Sequence, residues 1–556
     1  MNPFALAYRE QQQLFMYDKA YLLGTLFKTG GLATLLAQFV VQFFHNPTLA
    51  LSLTLLLLAL SSYLLWAVLR RDRKDWRILP LCIVPACFMG ASLSDNSLHF
   101  DFLTSILLVE AGLLLFKKIR SCKTFWGVFL TVILYFTAGP SAVLFAVCAA
   151  FMEKSWKSLC FPAAVLVCGL VAYLTAAVPT GGKALTPAFY FDLDASMPAV
   201  HWGAWIAIAS VAALSMFTEA SREKKYTKGV FVGSCVLLLA ALVGTLKISG
   251  DIEKKASLTS YEYEYYTVNG RWDDLIESCR RHSWTPGTAN YLNLALAHKG
   301  TLVKDLFKYD QRGTSALIFI PQEKTADVRI AHIMYAMGNI AAAQDVAFNA
   351  LNSMTGYCPA MLKMNAEIEL MRGTYDVADK YLSLLKKAPH YSKWAKERSH
   401  LLWNDDAVMS DPLLGTGRRD FPYEDGFSMF GSPIDELSKV IEANPSDTRA
   451  MQYYLSFLLL AKDIERLSKF VDRYWGAPAL SELPVAVQEA ILFYSEYTRN
   501  FGSDEPLSLE WCMDHGVTAE TIDRFRAFQN ASLQSKGSSP AGFRTTYWSY
   551  LLYTEI

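Results

Sequence analysis

The chain has 556 residues, 52% of them hydrophobic and 19% charged, with a mean hydropathy of +0.19; soluble domains carry about 25% charged residues, which argues against a wholly soluble enzyme. The 52 basic and 52 acidic residues balance only overall, since 20 of the basic but 12 of the acidic ones lie before residue 250. The acidic second half argues against nucleic acid, whose phosphates are bound by clustered Lys and Arg. Seven of the ten cysteines lie in the apolar half, with no CxxC pair and no His/Cys/Asp group at zinc-ligand spacing. Neither a disulfide framework nor a metal is expected, and no cofactor, because the GxGxxG, GxxxxGK and GxSxG patterns are absent.

Residues 1–249 read as a transmembrane helical domain. A helix needs about 20 residues to cross about 30 Å of hydrocarbon, and nine segments are candidates: Leu22 to Phe44, Leu49 to Leu69, Ile78 to Leu93, Phe102 to Phe116, Thr124 to Thr137, Ser141 to Met152, Leu159 to Val178, Trp202 to Phe217 and Gly229 to Ile248. The first is too long for a signal-peptide core and is expected to stay as an anchor. Basic clusters fall in alternate loops: Arg70 to Lys74, Lys117 to Lys123, Lys154 to Lys157 and Arg222 to Lys228. The other connections hold one basic residue, Lys183. Retention of basic loops in the cytoplasm, with nine crossings, predicts a membrane protein with a cytoplasmic N-terminus and everything after about residue 250 outside, in a periplasm or an equivalent lumen. Thr124 to Met152, broken at Ala138-Gly139-Pro140, must enter and return within about 30 residues. It is either a hairpin whose tip is covered by protein or lines a wet cavity, or two short tilted helices in a thinned bilayer.

Ionisable groups at membrane depth mark functional candidates. Glu110 lies inside the fourth segment, below the outer-face run Asp95-Asn96-Ser97-Leu98-His99-Phe100-Asp101. On one continuous helix His99 and Glu110 would be about 20° apart, so the candidate catalytic set is Asp95, His99, Asp101 and Glu110, lining one groove open to the outer face. Gln38, Gln42 and His45 form a second polar stripe, read as interhelical glue.

Past residue 250 short amphipathic helices alternate with turns. Gly338 and Gly373 are 35 residues apart, and Gly270 lies 68 before Gly338. A glycine ends the first helix of each pair, and five positions on a small or apolar residue (Leu275, Ala343, Ala378) lets the helices approach. This resembles the tetratricopeptide repeat, of period about 34, most clearly over residues 325–390. Gly300 and Ala461-Lys462-Asp463 mark further divergent pairs. The domains expected are 250–404 for repeats, 405–436 for an irregular elbow rich in Gly, Pro and aromatics, and 437–556 for further hairpins closed by an aromatic tail, Phe543 to Tyr553, docked as a capping helix. The fold class is all-α: a polytopic bundle followed by an α-solenoid of tetratricopeptide-like hairpins.

Stacked helix pairs present a surface for protein partners, so the first expectation is an inner-membrane scaffold or assembly factor whose periplasmic repeats bind a protein partner or client in the cell envelope. The second is a membrane glycosyltransferase. The layout resembles that of the O-mannosyltransferases, whose likeness implies a lipid-linked donor, an outer-face carboxylate as base and repeats presenting the acceptor. Here Asp95 to Asp101 would stand for their acidic loop, because the first outer connection is only His45-Asn46-Pro47. A transporter, suggested by the broken hairpin and Glu110, is a third. Tyr335 to Gly338, Arg372 to Tyr375, Asn444 to Ala450 and the Tyr547-Trp548 ending together resemble a family of Gram-negative inner-membrane proteins without an assigned activity. That likeness implies location and architecture only.

Overall fold

The structure, a computed structural model, describes all residues except 71–75, 154, 192–196, 221–226, 256–257, 321–327, 354–357, 422–431, 502–506, 536–537 and 556. Parts of the basic clusters (Arg71 to Lys74, Lys154, Arg222 to Tyr226) and of the expected elbow (Tyr423, Gly426, Phe427, Phe430, Gly431) lie outside the described residues. Among those described, the chain is all-helical, with no strand and one isolated antiparallel bridge, Leu98 to Phe191. It divides into two units, Met1–Tyr261 with Lys387–His390, and Glu262–Lys386 with Tyr391–Ile556. The expected boundary at 249 moves to 261, and the three expected parts of the second half form one unit.

Unit 1 contains α1 (Pro3–Gln11), α2 (Lys19–Leu26), α3 (Gly31–Val41), α4 (Pro47–Leu69), α5 (Leu79–Ser92), α6 (Asp101–Lys118), α7 (Lys123–Ala138), α8 (Ala142–Glu153), α9 (Cys160–Leu174), α10 (Val200–Ala220) and α11 (Thr227–Lys255). Among the described residues, four stretches are long and apolar enough to cross a membrane: Pro47–Leu69, Lys123–Glu153, Trp156–Leu174 and Lys228–Ile252. Gly31–Val41, Trp76–Ser92 and Val200–Leu214 are apolar but shorter. Leucines and valines on α9 and α11 stay exposed, among them Leu170, Leu174, Leu239 and Leu246, as in a protein solvated by hydrocarbon rather than water.

Side-chain contacts define two ends of this bundle. At the basic end, the Lys117 ammonium donates to the carbonyls of Ala67, Val68 and Arg70 (3.2, 2.7 and 2.6 Å), closing the orphan end of α4. Trp76 meets Phe231 there (5.3 Å between centroids), and Lys123 pairs with Glu153 at 3.0 Å. At the opposite end Ser94 bonds Ser249 (2.6 Å), the His99 amide donates to Tyr190 (2.8 Å), and His201 meets Asp95 (3.2 Å). The helices α4 to α11 run between these ends.

The Lys123–Glu153 pair joins the start of α7 to the end of α8, so Lys123–Glu153 is a hairpin and not one long helix. Its tip, Gly139–Ser141, is buried and covered by protein. The Tyr190 hydroxyl donates to Ala138 O and accepts from the Ser141 amide (3.1 Å), while the Gly30 amide donates to Phe136 O (2.9 Å). The turn's backbone is thus satisfied without water.

The first expected segment, Leu22 to Phe44, is not one spanning helix. The chain breaks after α2 and returns as α3, with Gly30 at φ +74°. A Cβ on Gly31 would stand 2.2 Å from Thr25 O, so only glycine allows the fold-back. Ala33 and Thr34 bond Thr104 and Asp101, yet Phe44, some 16 Å further along the chain by helical rise, packs on Phe100 (5.2 Å). Hence α3 crosses the first turn of α6 obliquely, at the end away from the basic loops. Arg9 also reaches that end, bonding carbonyls of Leu93, Asp95 and Leu98. Of the nine expected segments, the first is thus folded back on itself, and the start of the chain, through Arg9, meets the end of the bundle away from the basic loops.

Unit 2 contains α12 (Leu258–Val268), α13 (Trp272–Arg280), α14 (Pro286–His298), α15 (Leu302–Asp305), α16 (Val328–Ala336), α17 (Ile340–Ser353), α18 (Pro359–Arg372), α19 (Tyr375–Lys386), α20 (Ser392–Arg398), α21 (Asp405–Ser410), α22 (Pro412–Asp420), α23 (Pro433–Ala443), α24 (Thr448–Ala461), α25 (Ile464–Tyr474), α26 (Val485–Phe501), α27 (Leu509–Asp514), α28 (Ala519–Gln534) and α29 (Tyr547–Tyr553). Gly270, Gly300, Gly338 and Gly373 follow α12, α14, α16 and α18 with positive φ, and Lys462 does the same after α24 at φ +57°. Leu275, Ala343 and Ala378 are fully buried.

The expected irregular stretch 405–436 is helical over most of its first half. Asp411 accepts from the Leu413 and Leu414 amides (2.9 and 3.0 Å) with Pro412 next, an N-cap that starts α22. Its glycines serve close packing, since a Cβ on Gly417 would stand 2.5 Å from the Met371 sulfur on α18. The aromatic tail docks as α29. Trp548 is fully buried and its indole donates to Glu489 O (2.7 Å), while Lys462 caps the end through Leu551 O and Thr554 O.

Candidate functional site

The outer connection of unit 1 gathers most of the expected site residues. Asn2 caps α1 through the Phe4 and Ala5 amides, which aims Arg9, 2% exposed, beneath the end of α5. Its guanidinium donates to Leu93 O (2.9 Å), Asp95 O (2.8 Å) and Leu98 O. These include carbonyls left unpaired where α5 stops. Asp95 accepts from the Ser97 amide (3.0 Å) and pairs with the His201 Nε2 (3.2 Å). Burial opposes the charge on Asp95, but the His201 and Ser97 hydrogen bonds outweigh it and hold the carboxyl below its usual range.

Asp101 opens α6, where its charge suits the helix N-terminus. One oxygen accepts from the Thr34 hydroxyl (3.1 Å); the other is buried without a partner. His99 precedes the helix, so the expected alignment of His99 above Glu110 does not apply. Glu110 lies about 14 Å of helical rise below Asp101, fully buried, with one oxygen on the Ser61 hydroxyl of α4 (2.8 Å) and the other unpartnered. Thus the structure gathers Asp95, His99 and Asp101 around one loop and leaves Glu110 in a separate place. The stripe is spent locally, with Gln38 accepting from Tyr21, Gln42 donating to Phe39 O and His45 bonding Gln42 O.

The residues that organise this end, Arg9, Tyr190 and His201, escaped sequence reasoning. Arg9 lies 86 residues from Asp95 and His201 lies 106 beyond it, and no local pattern encodes such pairings. Their arrangement is a brace. Arg9 closes carbonyls, Tyr190 holds the hairpin tip, and His201 is fully buried against Asp95, where no solute reaches it. Each carboxyl is engaged by a different partner, Asp95 by His201, Asp101 by Thr34 and Glu110 by Ser61, and among the described residues no group of three or more His, Cys, Asp or Glu could hold a metal ion.

Unit 2 has its own buried acidic pair. Asp420, at the end of α22, is 0% exposed and Asp447, the N-cap of α24, 2%. Asn444 donates to Asp420 Oδ1 (2.6 Å), and Asp447 Oδ1 accepts from the Arg449 and Ala450 amides (2.8 and 3.4 Å). Both Oδ2 atoms face Gly338, within 3.3 and 3.4 Å of where a Cβ would stand. Burial, then the hydrogen bond and charge of Asp447, push Asp420 up to about 9 against the pull of Asn444 and Arg449. Asp420 is thus the carboxyl of the pair that is held protonated by its surroundings at neutral pH.

Neither a curated protein nor a solved structure matches the chain. The model of DUF6057, a family of unknown function, matches residues 1–554, and the chain belongs to that family.

Proposed function

We propose that this chain is an inner-membrane scaffold or assembly factor of a Gram-negative cell, whose tetratricopeptide-like half binds a protein partner or client in the periplasm. The observation that carries the reading is the run of neighbouring helices in unit 2: α13 packs on α14, α14 on α16, α16 on α17, α17 on α18 and α18 on α19. Left-handed glycines at Gly338 and Gly373 turn two of these pairs. Stacks of this kind present an extended surface suited to proteins. The separation of Glu110 from Asp101, and the engagement of Asp95 with His201, favour this reading over the transferase and the transporter.

The basic end of unit 1, with Arg70, Lys117, Lys118, Arg120 and Lys123, is the cytoplasmic one. The chain then leaves α11 on the periplasmic side, and α1 to α3 lie on that side too. Two measurements test the proposal. Affinity purification in mild detergent is expected to recover a stoichiometric envelope protein, lost when unit 2 is deleted; recovery of none refutes the scaffold. A membrane-impermeant maleimide is expected to label Lys19→Cys in intact spheroplasts and the native exposed Cys122 only after lysis. The reverse pattern refutes the sidedness.

A further inference from the structure

In unit 1, α4 and α11 each pack along α5 without packing along one another. Between them lies a cleft of about 670 Å³. Its floor on α5 includes the small residues Ala86 and Gly90, and its walls are Leu55 and Ala59 on α4 and Leu242 and Leu246 on α11. From Leu79 to Ala91, lining residues at either end, the helical rise is about 18 Å, close to one leaflet of a hydrocarbon core of about 30 Å.

The cleft offers water little. Of its four lining hydroxyls, three are spent inside the protein, Ser62 on Leu58 O, Thr245 on Ala241 O and Ser249 on Ser94, and the fourth belongs to the exposed Tyr63. A roomy space so largely apolar holds water poorly. At bilayer depth, the material that fills it is hydrocarbon. The two ends differ in charge. The Leu79 end leads to the exposed Arg77 and Trp76 and to Arg70, whose guanidinium lies 4.5 Å over the Trp66 ring. Guanidinium groups of this kind suit phosphate, and an aromatic beside them suits the headgroup level.

We propose that this cleft seats one acyl chain of an anionic phospholipid of the cytoplasmic leaflet, with its phosphate at Arg77 and Arg70. The proposal rests on unit 1 lying in the bilayer. The full chain, solubilised in non-ionic detergent, is exchanged against vesicles of equal phosphatidylglycerol and phosphatidylethanolamine and examined by native mass spectrometry. One phosphatidylglycerol per chain is expected. Ala59→Phe, at an exposed position of the cleft, is expected to lower its retention about tenfold, equivalent to about 1.4 kcal/mol. Arg77→Gln, on the surface where folding is not at stake, is expected to lower it about fivefold. No saturable lipid, no preference between the two lipids, equal retention in both variants, or an isoprenoid phosphate carried through purification each overturns the assignment. Alkaline carbonate separates the failures: release of the chain from membranes refutes the embedding of unit 1, whereas retention in the membrane with no bound lipid refutes the cleft alone.

Discussion

Asp420→Asn tests the proton held on Asp420 in unit 2. In the folded chain Asp420 keeps a proton that the unfolded chain releases above about 3.9. The folded state therefore binds more protons between about pH 4 and about 9, and stability falls as pH rises through that window. The slope is about 1.4 kcal/mol per pH unit for one proton, so the pair loses about 2.7 kcal/mol between pH 5 and 7. Asparagine keeps the acceptor for Asn444 at Oδ1 and places an N–H where the proton sat, facing Asp447. The variant is thus expected to lack this slope, so that variant minus wild type rises by about 2.7 kcal/mol between pH 5 and 7. Urea unfolding of the detergent-solubilised chain at pH 5, 6, 7 and 8, taken as variant minus wild type, isolates the pair from other titrating groups. Parallel curves, or a variant less stable than wild type at pH 7, refute the reasoning.

Trp548→Ala removes a fully buried indole that bonds Glu489 O and is expected to cost about 3–5 kcal/mol, read as the urea midpoint; a loss under 1 kcal/mol would mean α29 is not docked. Gly338→Ala meets Val440 Cγ1 at 2.9 Å as well as an unfavourable φ of +79°, whereas Gly300 at φ +71° faces open space. Gly338→Ala is therefore expected to lose more stability than Gly300→Ala, whose cost is about 1 kcal/mol; equal losses would refute the close approach over the carboxylate pair. Glu110→Gln retains an acceptor for the Ser61 hydroxyl and is expected to change stability by less than about 1 kcal/mol, while Glu110→Ala orphans that hydroxyl and costs about 1–3 kcal/mol. Differential scanning of both in detergent checks the order, and loss of folded protein with Gln would show that the carboxyl itself is needed.

What the sequence makes legible here is what short-range geometry controls. Gly270, Gly338 and Gly373 mark turns because a helix end in the left-handed region has few alternatives to glycine. Lys462 takes the same conformation without glycine, held by bonds to Leu551 O and Thr554 O some 90 residues away. Composition misleads where one residue type has two uses. Gly415 and Gly417 read as loop residues, yet they let α22 approach the Met409 carbonyl and Met371. Hydropathy misleads at Leu22 to Phe44 because it measures transfer free energy and not direction, so an apolar run that folds back at Gly30-Gly31 scores like one that crosses. Within the candidate site, Asp95 and Asp101 were visible as charges in an apolar setting, but His201 and Arg9 enter through tertiary contact alone.

The same distinction decides which conclusions survive a miscounted helix. The basic clusters are compared with one another, so Lys117 at the end of α4 and the Lys123–Glu153 pair keep Arg70, Arg120 and Lys123 at one end whatever the first 46 residues do. Ser249 beside Ser94 fixes where α11 finishes relative to those clusters. Only the placement of Met1 depended on counting α2 and α3 as a crossing. The proposed sidedness of unit 2 therefore rests on contacts at the two ends of the bundle and not on the parity of a crossing count.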